Sequence, residues 1–169
     1  MDAKLSSRVA ARKAVAHLRA CDARLKAVID RVGPYKMQFR PADFRMLTRS
    51  IVFQQLNGRA AGIIFERLEQ ACGEVTPQKL LRLRLPRLRA LGLSLRKAEY
   101  IRDLAARTHS GEIVFEDLPA LSDEEIIGRL TAVRGVGVWT VHMFLMFALE
   151  RPDVLPVGDY GIRQAMKRL

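Results

Sequence analysis

The segment Pro156-Val-Gly-Asp159-Tyr-Gly-Ile-Arg163 places a single carboxylate between a Gly/Pro-rich loop and a stretch able to form a helix. An aspartate in that position is most often a helix cap. The positive end of the helix dipole also favours its ionised form. An ionised carboxylate can stabilise a cation developing on a substrate, or orient a water against it. Twenty residues upstream lies Leu130-Thr-Ala-Val-Arg-Gly-Val-Gly-Val-Trp-Thr-Val-His-Met143, in which a helix ends, Gly135-Val136-Gly137 turns, and a second helix begins at once. Glycine admits backbone angles closed to other residues and leaves no side chain between the backbone and a ligand. Amides at the start of the second helix suit a phosphate. Carbonyls from the end of the first helix and the turn can hold a monovalent cation. Gly-Val-Gly alone need do no more than join two helices; its interval to Trp139 and Asp159 makes it informative.

The elements that must position these groups read as helix throughout. Asp43 can cap a helix with Phe44, Leu47, Ile51 and Val52 at helical spacing, and Asn57-Gly58 breaks it. Ala60, Ala61, Ile64, Phe65 and Leu68 resume the apolar stripe, which ends near Gly73. Thr76-Pro77 is a helix start, and Leu88–Leu93 ends in a turn at Gly92. Ser94 opens a helix with Ala98, Ile101, Leu104 and Ala105 inward, running to Gly111. Ser122 and Glu125 have capping-box spacing ahead of Ile126, Ile127, Leu130 and Val133. The only strand-like stretch is Glu112–Phe115, and Phe144 and Phe147 read as core.

The chain has 169 residues, 29 basic against 18 acidic side chains, a net charge of +11 and 49% hydrophobic residues. That balance belongs to a globular domain, and the charge to a partner that is a polyanion. Residues 1–50 carry +8, residues 51–110 carry +6 and residues 111–169 carry −3. The basic surface therefore lies in the first two thirds, with Arg82, Arg84, Arg87, Arg89, Arg96 and Lys97 as its densest track. No apolar run is long enough to span a bilayer, so no membrane partner is expected. The N-terminus has no apolar secretory core; its basic, amphipathic character fits a first helix or a mitochondrial presequence. Cys21 and Cys72 are too far apart for a zinc site or an iron–sulfur cluster and form no disulfide framework. A reducing cytosol is the expected setting.

Four segments together resemble the helix-hairpin-helix-Gly/Pro-Asp superfamily of DNA glycosylases, most closely its AlkA-like DNA-3-methyladenine glycosylase II branch. They are Ser50-Ile-Val-Phe-Gln-Gln-Leu-Asn57, Leu91-Gly-Leu-Ser-Leu-Arg-Lys-Ala-Glu-Tyr-Ile101, Arg134-Gly-Val-Gly-Val-Trp-Thr140 and Arg151-Pro-Asp-Val-Leu-Pro-Val-Gly-Asp-Tyr-Gly-Ile-Arg163. The resemblance implies an all-α, two-lobed bundle, one domain over 1–169 with the helix-hairpin-helix at 123–150. The chain stops at Leu169, where members of the family run on through further helices that close the cleft, so a C-terminally shortened version is expected. Asp159 matches the catalytic aspartate. The carbonyls of Thr131, Val133 and Val136 match a Na+ or K+ site that is structural rather than chemical. Trp139, Met143 and Tyr160 fall where the family lines its base pocket. Gln55 or Leu56, in the stretch Gln54–Leu56 expected to contact DNA, matches the wedge that fills the gap left by an extruded nucleotide. Arg134, Gly135, Val136, Gly137 and Thr140, with Arg96 and Lys97, are the expected DNA contacts. Arg134 departs from the proline usual in the hairpin.

The function implied is excision of alkylated purines such as 3-methyladenine from double-stranded DNA, by base flipping and hydrolysis of the N-glycosidic bond. The family's lyase members use a lysine at the position of Trp139, and no lysine lies between Lys97 and Lys167. A monofunctional, monomeric enzyme is therefore expected, without an iron–sulfur cluster and with no cofactor needed for the chemistry. The setting would be cytoplasmic at the nucleoid, or nuclear in a eukaryote. Two alternatives stay open: a non-catalytic DNA-binding helix-hairpin-helix module, and a glycosylase for hypoxanthine, ethenoadenine or uracil.

Overall fold

The computed structural model describes residues 3–169, with side chains from residue 11 onward. Ten α-helices follow in order among them: α1 (Ala3–Cys21), α2 (Ala23–Val32), α3 (Phe44–Phe53), α4 (Gly58–Cys72), α5 (Pro77–Arg82), α6 (Leu85–Ala90), α7 (Leu95–His109), α8 (Asp123–Thr131), α9 (Val138–Phe147) and α10 (Tyr160–Arg168). The described residues form no strand. Glu112–Phe115 is a turn instead, because Ile113 and Phe115 are both drawn into the helical core and leave no alternating face to pair. From Ala3 onward the basic N-terminal stretch is the beginning of α1, and Met1 and Asp2 lie outside the described residues.

Capping sets most of the boundaries. Asp43 accepts from the Met46 amide at 2.7 Å, Asn57 from Ala60 at 2.8 Å and Ser94 from Lys97 at 3.2 Å. Both bonds of the Ser122–Glu125 box are present, at 3.2 and 2.8 Å. Two helices stop earlier than their composition suggests: α3 at Phe53 and α7 at His109. The first of these early stops creates the turn at 54–57.

One contiguous core runs through α3 to α9. Leu47, Ile51, Leu68, Leu80, Leu88, Ile101, Leu104, Leu130 and Phe144 are at most 1% exposed. Full burial of side chains this size stabilises by roughly 1.5–3 kcal/mol each. Phe115 meets both Phe44 and Phe144 edge to face. The second lobe is slighter. It is the α1–α2 pair, and α2 contributes no buried residue. The extended segment 33–43 joins it to the core, where the Arg40 amide donates to the Phe147 carbonyl at 2.9 Å. The described helices include none long and apolar enough to cross a membrane.

Candidate active site and DNA-facing hairpin

The hairpin is α8, the turn 132–137 and α9. Successive turn bonds run from the Val133 amide to Leu130 O and from the Val136 amide to Val133 O. Gly135 takes φ +78°, a left-handed angle that favours glycine. A Cβ there would also lie 2.0 Å from the Tyr100 ring. Tyr100 is on α7, and one turn further along, Asp103 Oδ2 accepts the Arg134 amide at 2.9 Å. Arg107 Nε reaches the same oxygen at 3.3 Å. Gln54, at the end of α3, donates from Nε2 to Gly135 O at 2.9 Å and more weakly to Thr140 Oγ1 at 3.4 Å. The turn is thus held by two other helices.

Gly137 differs from Gly135. Its φ is −96°, open to any residue, and an added Cβ would meet nothing within 4 Å. The protein's own packing does not require glycine here; a close approach from outside would. No side chain caps α9. The first bond of the helix is Val141 N–H to Gly137 O, so the amides of Gly137, Val138, Trp139 and Thr140 precede the ladder. This is an anion-accepting helix start on an exposed turn.

Arg151 steers the chain from α9 to the acid. Its Nη2 donates to Leu121 O at 2.7 Å and Pro119 O at 3.1 Å, and its Nε is 3.3 Å from Asp123 Oδ1. Pro156 is buried, and its carbonyl accepts the Asp159 amide at 2.8 Å. Asp159 then caps α10: Oδ1 accepts the Ile162 amide at 2.8 Å, while Oδ2 accepts Trp139 Nε1–H at 2.8 Å. The Ile162 amide first, and the Trp139 indole next, hold this carboxyl below the usual aspartate range. Asp159 is therefore ionised at neutral pH, and half-exposed.

A cavity of about 860 Å³ lies between the lobes. Its walls include Val28 and Ile29 of α2, Tyr35 and Met37 of the joining segment, Met46 of α3, and Met143 and Phe147 of α9. Of the three expected pocket residues, Met143 lines it. Trp139, 47% exposed, sits one helical turn away and is bonded to Asp159, and Tyr160 is 77% exposed. Phe147, read from sequence as core, is a cavity wall, because the core it was assigned to ends at Phe144 and Ala148 on that side.

Three expected DNA contacts have other work. Lys97 donates from Nζ to Val52 O at 2.7 Å and Gln54 O at 2.6 Å, and burial lowers its pKa. The Gln54 side chain binds the hairpin as described, because the early stop of α3 turns it inward. Thr140 is 6% exposed, and its hydroxyl accepts weakly from Gln54 Nε2. Gln55 and Leu56 are exposed, as are Arg96, Arg134, Gly135 and Gly137, whereas Val136 is buried. Val133 O accepts the Val136 amide, and no bond of the described turn engages the carbonyls of Thr131 and Val136. Sequence reasoning did not single out Tyr100 and Asp103. Their signal was present: with Arg107 they recur at i, i+3 and i+7, a polar stripe opposite the apolar one.

Amides on an exposed turn, an ionised acid bonded to the first turn of α9 and an exposed turn at 54–57 make up a helix-hairpin-helix arrangement. The chain matches the HhH-GPD superfamily base excision DNA repair protein family over residues 48–169, and it belongs to that family. It is 35% identical to a DNA-3-methyladenine glycosylase 1 of Schizosaccharomyces pombe over 164 residues, covering 93% of this chain and 72% of that protein. The crystal structure of a DNA-3-methyladenine glycosidase from Bacillus halodurans superposes with a TM-score of 0.80 at 40% identity, covering 89% of this chain and 70% of that one. A Schizosaccharomyces pombe 3-methyladenine DNA glycosylase in complex with abasic DNA gives 0.81 at 36% identity, over 92% and 79%.

Proposed function

We propose that the protein is a monofunctional DNA glycosylase that releases alkylated purines such as 3-methyladenine from duplex DNA. The observation that carries this reading is the Asp159 carboxylate, ionised and fixed by two donors, the Ile162 amide and the Trp139 indole, beside the uncapped start of the second hairpin helix. Relatives named for 3-methyladenine, one of them bound to abasic DNA, support the lesion class.

Breaking the N-glycosidic bond builds positive charge on the deoxyribose. A base alkylated at a ring nitrogen is already cationic and leaves readily, so modest help suffices. Asp159, with both oxygens accepting hydrogen bonds, is a weak base. Its carboxylate suits stabilising the sugar cation better than deprotonating water. Water then adds at C1′ of the sugar and gives up a proton, leaving an abasic site. The electron-poor base stacks favourably on an aromatic face, and Trp139 offers one beside the acid.

A lyase step would need an amine to attack C1′. Trp139 stands where lyase relatives carry that lysine, and the nearest lysine upstream, Lys97, is committed to two carbonyls. The abasic product is therefore left uncut. On the family resemblance the carbonyls of Thr131, Val133 and Val136 would hold Na+ or K+, which would brace the turn rather than enter the chemistry. The protein acts as a monomer on this reading.

The test is base release from methylated duplex DNA, followed by alkali cleavage at abasic sites. Wild-type protein should release 3-methyladenine and nick only after alkali. Asp159→Asn should lose on the order of 10²-fold or more in single-turnover rate with affinity for abasic DNA kept. Equal rates for the two proteins would remove Asp159 from the mechanism, and no release by folded, DNA-binding wild type would leave a binding module.

A further inference from the structure

The end of α3 is held by a lysine from another helix. The last carbonyls of a helix have no partner of their own. Here the Ile51 carbonyl accepts the Gln54 amide and the Phe53 carbonyl accepts the Leu56 amide, both at 3.4 Å. The Val52 carbonyl is met by Lys97 Nζ, which also binds Gln54 O. No basic residue lies in the last turn of α3, so α7 supplies the positive charge that a helix C-terminus favours. Beyond this clamp, Gln55 is forced to φ +54°, a left-handed angle rare for a side chain of its size. Such a conformation persists where its surroundings over-determine it. The same Gln54 whose carbonyl Lys97 holds reaches with its side chain to Gly135 O of the hairpin. Two residues on, Leu56 stands 41% exposed in the turn that Gln54 ties to the hairpin. An exposed apolar side chain next to a phosphate-accepting turn has the chemistry of a wedge between base steps.

We infer that Lys97 is a positioning residue for nucleotide extrusion: it locks the Gln54–Leu56 turn in its inserting shape and in register with the hairpin, rather than contacting a DNA phosphate. The inference rests on the proposed glycosylase reading for its kinetic readout but not for its binding or insertion readouts. With the turn locked, Gln55 and Leu56 enter the duplex without first being ordered. Without the lock, that ordering is added to the cost of unstacking. The added cost matters most where extrusion is hardest, at a lesion paired with its normal partner, and least where the base is already loose.

The experiment compares wild type, Lys97→Met and Lys97→Arg. Met keeps the stem and removes the donors; Arg can still donate to two carbonyls. Thermal melts establish that each is folded, and the Arg variant carries the test if Met fails to fold. Three readouts follow: the salt dependence of binding to undamaged duplex, 2-aminopurine fluorescence as the wedge displaces a base, and single-turnover release of 3-methyladenine from a normal pair and from a position opposite an abasic analogue. Lys97→Met should lose on the order of tenfold in release from the normal pair and about twofold or less opposite the abasic analogue. Fluorescence gain should fall in parallel, Arg should restore both, and the salt slope should not change. A slope reduced by about one unit would mark a phosphate contact and overturn the inference. Equal losses on the two substrates would overturn it too, as would fluorescence unaffected by the Met substitution or a folded Arg variant as impaired as Met. If wild type releases no base, the glycosylase reading fails by itself, and the fluorescence and salt slope still decide the role of Lys97.

Discussion

The two ends of α9 are built differently. At its N-terminus the hairpin turn is fixed by Tyr100 packing, by Asp103 accepting the Arg134 amide and by Gln54 donating to Gly135 O, all from helices of the main core. At its C-terminus the cavity is shared with α2, which buries none of its residues, and with a segment tied down by the Arg40–Phe147 backbone bond. The hairpin turn is thus part of the cooperative core, while one wall of the cavity belongs to a lightly attached lobe. Local opening is cheapest where few apolar contacts must be broken. The difference teaches that the cavity can be altered, by sequence or by motion, without disturbing the turn.

The sharpest way to break this contrast is at Gly135. Gly135→Val must abandon φ +78° and displace the Tyr100 ring. A loss of about 2 kcal/mol or more in stability, read by denaturant melts, should come with loss of duplex binding. A variant that melts and binds as wild type would show that the turn is not anchored through α7.

Trp139→Phe probes the seam between the regions. It keeps a ring and removes the N–H that holds Asp159 Oδ2. The folded carboxyl is depressed below its unfolded value, so its ionised form is present above that value and is lost as pH falls through the folded one. Removing a donor moves that loss to higher pH. The acid limb of the single-turnover profile should rise, with about a tenfold deficit at acidic pH and a smaller one at neutrality. An unmoved limb would leave Trp139 with stacking alone.

Phe147→Leu should have the smallest effect. It widens the cavity without touching the hairpin turn, and should shift the ratio of release rates for two alkylated purines by about tenfold or less. Affinity for undamaged duplex should stay the same. A change in that affinity, with the ratio constant, would merge the two regions into one.

The helical frame was legible because capping residues and apolar spacing are local signals: Asp43, Ser94 and Ser122 each cap the helix they announce. The glycine turn and Asp159 were legible because few residue types can do their work. The duties of Lys97 and Gln54 were not. A lysine reads as surface charge until the carbonyls 43 and 45 residues away come within reach, and a glutamine at a helix end reads as polar solvation until the turn it bonds is in place. Phe147 failed for a related reason. Alternation of apolar residues marks what is shielded from water, and a cavity wall and a core position share that mark until the opposing surface is known.

Trp139, Met143 and Phe147 lie four residues apart along α9, on one side of one rod. At about 1.5 Å per residue, roughly 12 Å separates the first of them from the last. That span is a gauge written in peptide geometry, and no exchange of side chains lengthens it. Any enlargement of the cavity that keeps α9 intact would have to come sideways, through α2 and the strap at 33–43, since the spacing of its α9 wall residues, Met143 and Phe147, is set by the pitch of a helix.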